Sequence, residues 1–198
     1  MRILVVGGTG TIGKAVVEAL SQGNEIVAVS HKSTPITVDL ARAESIQAMY
    51  RAVGNIDAVV SAAGNAAFKP LLQLRDEDFQ FSLANKLMGQ VNLVRYGFEH
   101  VADGGSFTLT SGVLAQHPMP GSGAVSLVNA AIEGFARAAA LEAPRKIRVN
   151  VISPPWVTET LIAMKMDPSM GLPAATVARS YVESVTGSAT GTVIAPKG

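Results

Sequence analysis

Short apolar runs bounded by glycine and polar residues alternate along this chain with stretches whose apolar positions recur every three to four residues. Arg2 to Val6 is the first such run and reads as a buried strand. Ile12, Ala15, Val16, Ala19 and Leu20 then share one helical face, and Gly23-Asn24 ends that helix. A second strand is expected from Glu25 to Ser30, and a third, Ile36 to Leu40, follows too soon for a helix between them. Ser45 to Val53 reads as a helix closed by Gly54-Asn55, and Ile56 to Ser61 as a fourth strand. Asp76 opens a long helical stretch to about Val101, broken at most near Ser82. Three further strands are expected at Ser106 to Thr110, Ile147 to Ser153 and Thr190 to Ala195. Between them lie helices from Ser122 to Ala143, stopped by Pro144, and from Pro173 to Ser184. Such alternation builds βαβ units. It implies one doubly wound α/β domain over residues 1–198, with about seven parallel strands in the order 3-2-1-4-5-6-7 and helices on both faces.

Composition narrows the function classes. The chain has 198 residues, 48% of them hydrophobic and 16% charged, which suits a packed core and excludes a disordered chain. Sixteen Lys+Arg against fifteen Asp+Glu leave no basic field for a nucleic-acid backbone. Mean hydropathy is high at +0.31, yet no apolar run approaches the ~18–20 residues of a membrane span. The Met1 end lacks a signal-peptide layout, so a cytoplasmic protein is expected. Cysteine is absent, which removes disulfides, thiolate nucleophiles and Cys-based zinc sites, and no metal site is expected.

The segment Gly7-Gly8-Thr9-Gly10-Thr11-Ile12-Gly13 lies between the first strand and the first helix. Glycines there allow a sharp turn, close approach of backbone to a pyrophosphate, and tight helix–strand packing at Gly13. The helix N-terminus offers free N–H groups to the anion. Thus Gly7, Thr9, Gly10, Thr11, Ile12 and Gly13 are candidate dinucleotide contacts. An acid at the end of the second strand would favour NAD; here stand Ser30, His31, Lys32, Ser33 and Thr34, with no acid and one fixed cation. That composition suits a 2′-phosphate, so NADP is expected over NAD.

These landmarks, with Val38-Asp39-Leu40, Ser61-Ala62-Ala63-Gly64, Leu109-Thr110-Ser111-Gly112, Asn129 to Gly134 and Asn150 to Thr158, resemble the short-chain dehydrogenase/reductase superfamily over nearly the whole chain. The spacing of Gly7, Gly10 and Gly13 is closer to its extended and atypical members, and the helix usual between the second and third strands is missing. The resemblance implies a Rossmann domain in which Asp39 and Leu40 contact the adenine and Ala62, Ala63 and Gly64 lie beside the adenosine. Pro154 to Thr158, with Pro154, Val157 and Thr158 as contacts, would hold the nicotinamide amide. It further implies that Ser111 hydrogen-bonds the substrate carbonyl.

The family's acid is a tyrosine tuned by a lysine four residues on, and these positions fall at Val125 and Asn129. The three tyrosines, Tyr50, Tyr96 and Tyr181, all lie outside Gly112 to Pro144, and none has a lysine four residues later. The family's helix asparagine appears as Lys86. The chain therefore resembles a small subgroup that keeps the cofactor loop without the catalytic pair. Ser111 and Lys86 are the catalytic candidates, Lys86 as proton donor or as anchor for an anionic substrate, against the plainer reading of a surface lysine. Water is the other proton source considered. His117 has a suitable intrinsic pKa but reads more simply as an exposed loop residue. Val125, Trp156, Met119, Met164, Met166 and Met170 are candidate apolar lining, the methionines equally readable as ordinary packing. Pro155 stands where the family usually has glycine.

The alanine-rich helix from Ser122 to Ala143 carries more small residues than one core face needs, and family members pair through it. A homodimer or homotetramer is expected. The leading function is an NADP-dependent oxidoreductase acting on an unidentified small-molecule carbonyl or alcohol with a non-standard proton source. The alternatives are a catalytically silent NADP(H)-binding sensor or partner-binding protein, and a scaffold that has lost the cofactor.

Overall fold

The computed structural model describes residues 1–198. Six parallel strands form the sheet: β1 (Arg2–Val6), β2 (Glu25–Val29), β3 (Ile56–Ser61), β4 (Val101–Thr110), β5 (Arg148–Ile152) and β6 (Val193–Ile194). Their order is β2-β1-β3-β4-β5-β6. Both faces are apolar, so residues alternate between two cores along each strand. Leu4 and Val6 of β1 face one core with Ile46, Met49, Leu93, Val94, Ile132 and Ala136. Ile3 and Val5 face the other with Val16, Leu20, Val177, Ala178 and Tyr181. The first core lies under α2 (Ala43–Val53), α4 (Gly89–Gly97) and α5 (Gly123–Glu142); the second lies under α1 (Thr11–Leu20) and α7 (Ala174–Thr186).

The expected third strand, Ile36 to Leu40, does not form; its backbone pairs with the sheet only through an isolated bridge between Ser30 and Thr37, although Val38 and Leu40 pack into the core. The Ser30 N–H is taken by Thr34 Oγ1 (2.8 Å), Pro35 has no N–H, and the Asp39 N–H goes to Ser45 Oγ (2.9 Å). Side-chain bonds have replaced the ladder. The remaining six strands keep the expected order. β4 begins five residues before Ser106, because Ile56 pairs with Val101 and Ala58 with Ser106, leaving Ala102 to Gly105 as a bulge.

The stretch expected as one long helix is divided. α3 (Asp76–Ser82) runs into a π-turn at Leu83–Met88, and α4 follows. Ser82 hydrogen-bonds back to Asp78 O (2.7 Å) and accepts the Ala67 N–H (2.9 Å), which ties a neighbouring loop to the point of change. A short helix, α6 (Thr158–Ala163), was not expected. α5, by length and composition alone, is apolar enough to match a membrane span, with a mean hydropathy of 1.3. The sequence reading missed this because Glu133 and Arg137 interrupt any continuous apolar run while the alanines keep the average high. α5 packs Val128, Ile132 and Ala136 into the core.

Candidate functional site

The loops after β1, β2, β3, β4 and β5 meet at the carboxyl edge of the sheet, where strand order reverses around β1. That is where open α/β sheets leave a crevice. The glycine loop shapes its first part. Gly7 has φ +84°, and a Cβ there would sit 2.8 Å from Ala62 O. A Cβ on Gly13 would lie 1.9 Å from Gly7 O, so α1 abuts its own loop as closely as backbone allows. No side chain caps the α1 N-terminus and no acid occupies its first turn, leaving those N–H groups to the crevice.

The resulting groove, about 430 Å³, is walled by Gly7, Thr9, Gly10, Ser30, His31, Asp39, Leu40, Ala62, Ala63 and Gly64. Thr11 and Gly13 are not in its wall, and Ile12 lines the adjoining cavity. Of the loop expected to read a 2′-phosphate, only Ser30 and His31 face the groove; Lys32 and Ser33 stand exposed outside it. The Ser30 hydroxyl is held by the Ser33 N–H (3.0 Å), which closes the loop on itself. Asn65 and Asn85 also line the groove. Their juxtaposition, Asn65 N–H to Asn85 Oδ1 at 2.7 Å, arises from the π-turn, which leaves no signature in apolar periodicity.

A second cavity of about 500 Å³ continues from the first through Ala62 to Asn65. Much of its wall is apolar, with Val113, Leu114, Val125, Trp156, Val157 and Met164, and Phe68 edge-on to Trp156 (centroids 6.4 Å). Pro154 and Pro155 line it. Thr158 does not, and its N–H is committed to Leu172 O (2.9 Å). Met119, Met166 and Met170 are exposed outside this cavity, as is His117. Phe68 and Thr160 were not foreseen; both come from loop or short-helix segments without periodic pattern.

Among the residues lining this cavity Lys86 is the sole ionisable side chain. It lies in the π-turn, half-buried rather than on the surface, with its stem against Gly64, where any Cβ would be 2.9 Å from Lys86 Cγ. Nζ donates to Ser111 O at 3.3 Å, and no carboxylate pairs with it. Burial alone lowers its pKa to about 8.

Ser111 lines the same cavity, as expected of a substrate-side residue, with its hydroxyl engaged from behind. Its buried hydroxyl donates to Glu133 Oε1 (2.9 Å), and Gln116 Nε2 donates to Oε2 of the same carboxylate (3.1 Å). A buried carboxylate requires such donors, and Ser111 Oγ is turned to α5 to supply one. The backbone position that faces Asn129 is Gly112, whose Cβ would lie 3.0 Å from Asn129 Nδ2. Val125 and Asn129 both line the cavity, so the missing pair leaves one apolar and one amide surface there. Neither buried tyrosine compensates. Tyr50 donates to Leu93 O (2.6 Å), Tyr181 is paired with Thr110 Oγ1 (2.6 Å), and burial raises both pKa values.

The strand order, the glycine loop and the crevice at the carboxyl edge of the sheet define a Rossmann-type α/β scaffold. The chain belongs to the short-chain dehydrogenase/reductase family, residues 10–193 matching the family model described as enoyl-(acyl carrier protein) reductase. It is similar to the protein lin1944 of Listeria innocua, 39% identical over 98% of each chain with a TM-score of 0.95. A small-chain dehydrogenase solved in complex with NADPH is 25% identical, covering 98% of this chain and 95% of that one, with a TM-score of 0.85. Hydroxynaphthalene reductase arp2 of Aspergillus fumigatus is 32% identical over 156 residues, 76% of this chain and 55% of that protein. The chain thus spans about half the length of the curated relatives it matches.

Proposed function

We propose that this chain is an NADPH-dependent reductase of an apolar carbonyl compound, with Lys86 in place of the family's tyrosine as proton donor. The carrying observation is that Lys86 is the one titratable group lining a cavity that otherwise offers only neutral surface. The uncapped α1 N-terminus and the close packing at Gly7 and Gly13 fit a pyrophosphate. His31 and the Ser30 loop, free of acid, suit a 2′-phosphate. The similar dehydrogenase solved with NADPH and the hydroxynaphthalene reductase are consistent with this reading. A bound NADPH supplies the hydride. The protein's part is to seat the carbonyl against Val125, Trp156 and Met164, to exclude water, and to direct the Lys86 ammonium at the oxygen. As negative charge grows on that oxygen, Nζ hands over a proton. Ser111 acts as a positioning residue, its hydroxyl fixed on Glu133 and its carbonyl holding Nζ.

Assembly belongs to the same proposal. α5 exposes Leu127, Ala130, Gly134, Ala138 and Leu141 along one face, small at its centre and flanked by two leucines, and we assign it to a homodimer or homotetramer contact. Fluorescence titration with NADPH and NADH tests the nucleotide reading. Tight NADPH with weak NADH is expected; binding of neither would sink it.

A further inference from the structure

Lys86 is a cation for which the protein provides no anion. Its Nζ makes one hydrogen bond, to Ser111 O at 3.3 Å, and no Asp or Glu pairs with it. No acid lines the cavity. Asp39 belongs to the adjoining groove, and Glu133 lies behind Ser111 with its two oxygens taken by Ser111 Oγ and Gln116 Nε2. The other polar side chains of the wall, Asn65, Thr110, Ser111, Asn129 and Thr160, are neutral. A charge drawn away from water is as a rule paired. Here the counter-charge has to arrive with the ligand.

The setting of the lysine narrows what that anion is. Its stem is pinned on Gly64, where a Cβ would meet Lys86 Cγ at 2.9 Å and Lys86 Cα at 3.2 Å, so the ammonium has little room to travel. An ammonium carries three hydrogens. One goes to Ser111 O, which leaves two for a ligand. The reductase reading assigns one of them to the carbonyl oxygen, and the other reaches only an oxygen next to it. A carboxylate bonded directly to the carbonyl carbon puts an oxygen there; a carboxylate further along the ligand does not. Phe68, Trp156, Val125 and Met164 suit an aryl or bulky apolar group on the other side of the carbonyl.

We propose that the cavity takes 2-oxo acids with an aryl or bulky apolar side chain, the Lys86 ammonium bridging the carboxylate and the carbonyl oxygen. This rests on the reductase reading and narrows it, the carbonyl compound being apolar at one end and anionic at the other. The carbonyl carbon gains the hydride that NADPH supplies, the C=O electron pair moves to oxygen, and Nζ gives that oxygen a proton. The products are a 2-hydroxy acid, NADP⁺ and a neutral Lys86 amine, which recovers its proton from water.

The test compares binding of phenylglyoxylate by NMR titration with that of two relatives, on wild type and Lys86→Met, with and without NADP. Phenylglyoxylamide is neutral, and 4-acetylbenzoate carries its carboxylate across the ring from the ketone. Wild type at neutral pH should bind phenylglyoxylate at least about tenfold more tightly than either. That preference should fall as pH rises above about 8, where Nζ of the free protein gives up its proton. Lys86→Met should not distinguish the three. Wild type that fails to bind phenylglyoxylate, or binds the amide or 4-acetylbenzoate as tightly, overturns the proposal, and so does Lys86→Met keeping the preference. The wild-type comparisons and their pH dependence stand even if the variant does not fold. Phenylglyoxylate bound with this preference but never oxidising NADPH would refute the reductase reading alone and leave the carboxylate site standing.

Discussion

Replacing Lys86 by methionine separates the cost of holding a cation in the cavity from its use. The lysine has no counter-ion, and burial brings its pKa from the ordinary 10.5 to about 8. The folded protein therefore binds fewer protons than the unfolded chain between these values. Its stability rises with pH through that window and is lowest below pH 8. A shift of that size corresponds to about 3 kcal/mol as a ceiling. Lys86 is only half-buried, and solvent screening brings the figure to about 1–2 kcal/mol. Methionine keeps the stem's packing on Gly64 without the charge. Lys86→Met should therefore melt about 3–6 °C above wild type near neutral pH. That advantage should shrink as pH rises above 8 and vanish only above about 10.5, where the lysine is neutral in the folded and the unfolded chain alike. Calorimetry at several pH values reads this directly. Equal melting temperatures at neutral pH, or a variant less stable than wild type there, would refute the reasoning. The same variant should lose about 10²–10⁴ in turnover, so stability and activity move in opposite directions.

Further outcomes follow from other parts of the structure. Gly13→Ala forces a Cβ to within 1.9 Å of Gly7 O and should abolish NADPH binding, read by nucleotide fluorescence, with a large fall in melting temperature. His31→Asp places an acid on the groove wall and should weaken NADPH about tenfold while improving NADH; unchanged selectivity would remove His31 from the phosphate site. Thr110→Val leaves the buried Tyr181 hydroxyl without its partner and removes the bond to Ser61 O, so denaturant unfolding should show about 2–3 kcal/mol of lost stability. Light scattering at micromolar concentration should give a dimer or tetramer, and Gly134→Arg, on the exposed face of α5, should dissociate it.

What the sequence disclosed divides along physical lines. The strands and the glycine loop were legible because their signals are local. Arg2–Val6 and Ile56–Ser61 are apolar runs between turn residues, and Gly7, Gly10 and Gly13 stand between a strand and a helix, where a tight turn is needed. Ile36 to Leu40 has the same apolar character as a strand, but its pairing was lost to Thr34, Pro35 and Ser45, whose effect depends on which donors reach Ser30 and Asp39. The family resemblance, not local pattern, singled out Asp39, Leu40 and Ala62 to Gly64, and all five line the groove. Asn65, Asn85 and the burial of Lys86 were not legible, since all three depend on a π-turn that helical periodicity conceals. The orientation of Ser111 was set by Glu133, twenty-two residues away, a partner that residue type cannot announce.

The central claim is that a nicotinamide-dependent reduction proceeds here on the Lys86 proton. It is tested most directly by following NADPH oxidation with a panel of aryl ketones, for wild type and Lys86→Met side by side, from neutral pH to about pH 10. The account predicts turnover by wild type that declines as pH rises through about 8, where Nζ gives up its proton. It also predicts a variant slowed at least about a hundredfold with NADPH affinity unchanged. A variant as fast as wild type, or wild-type turnover indifferent to pH across that range, would contradict it.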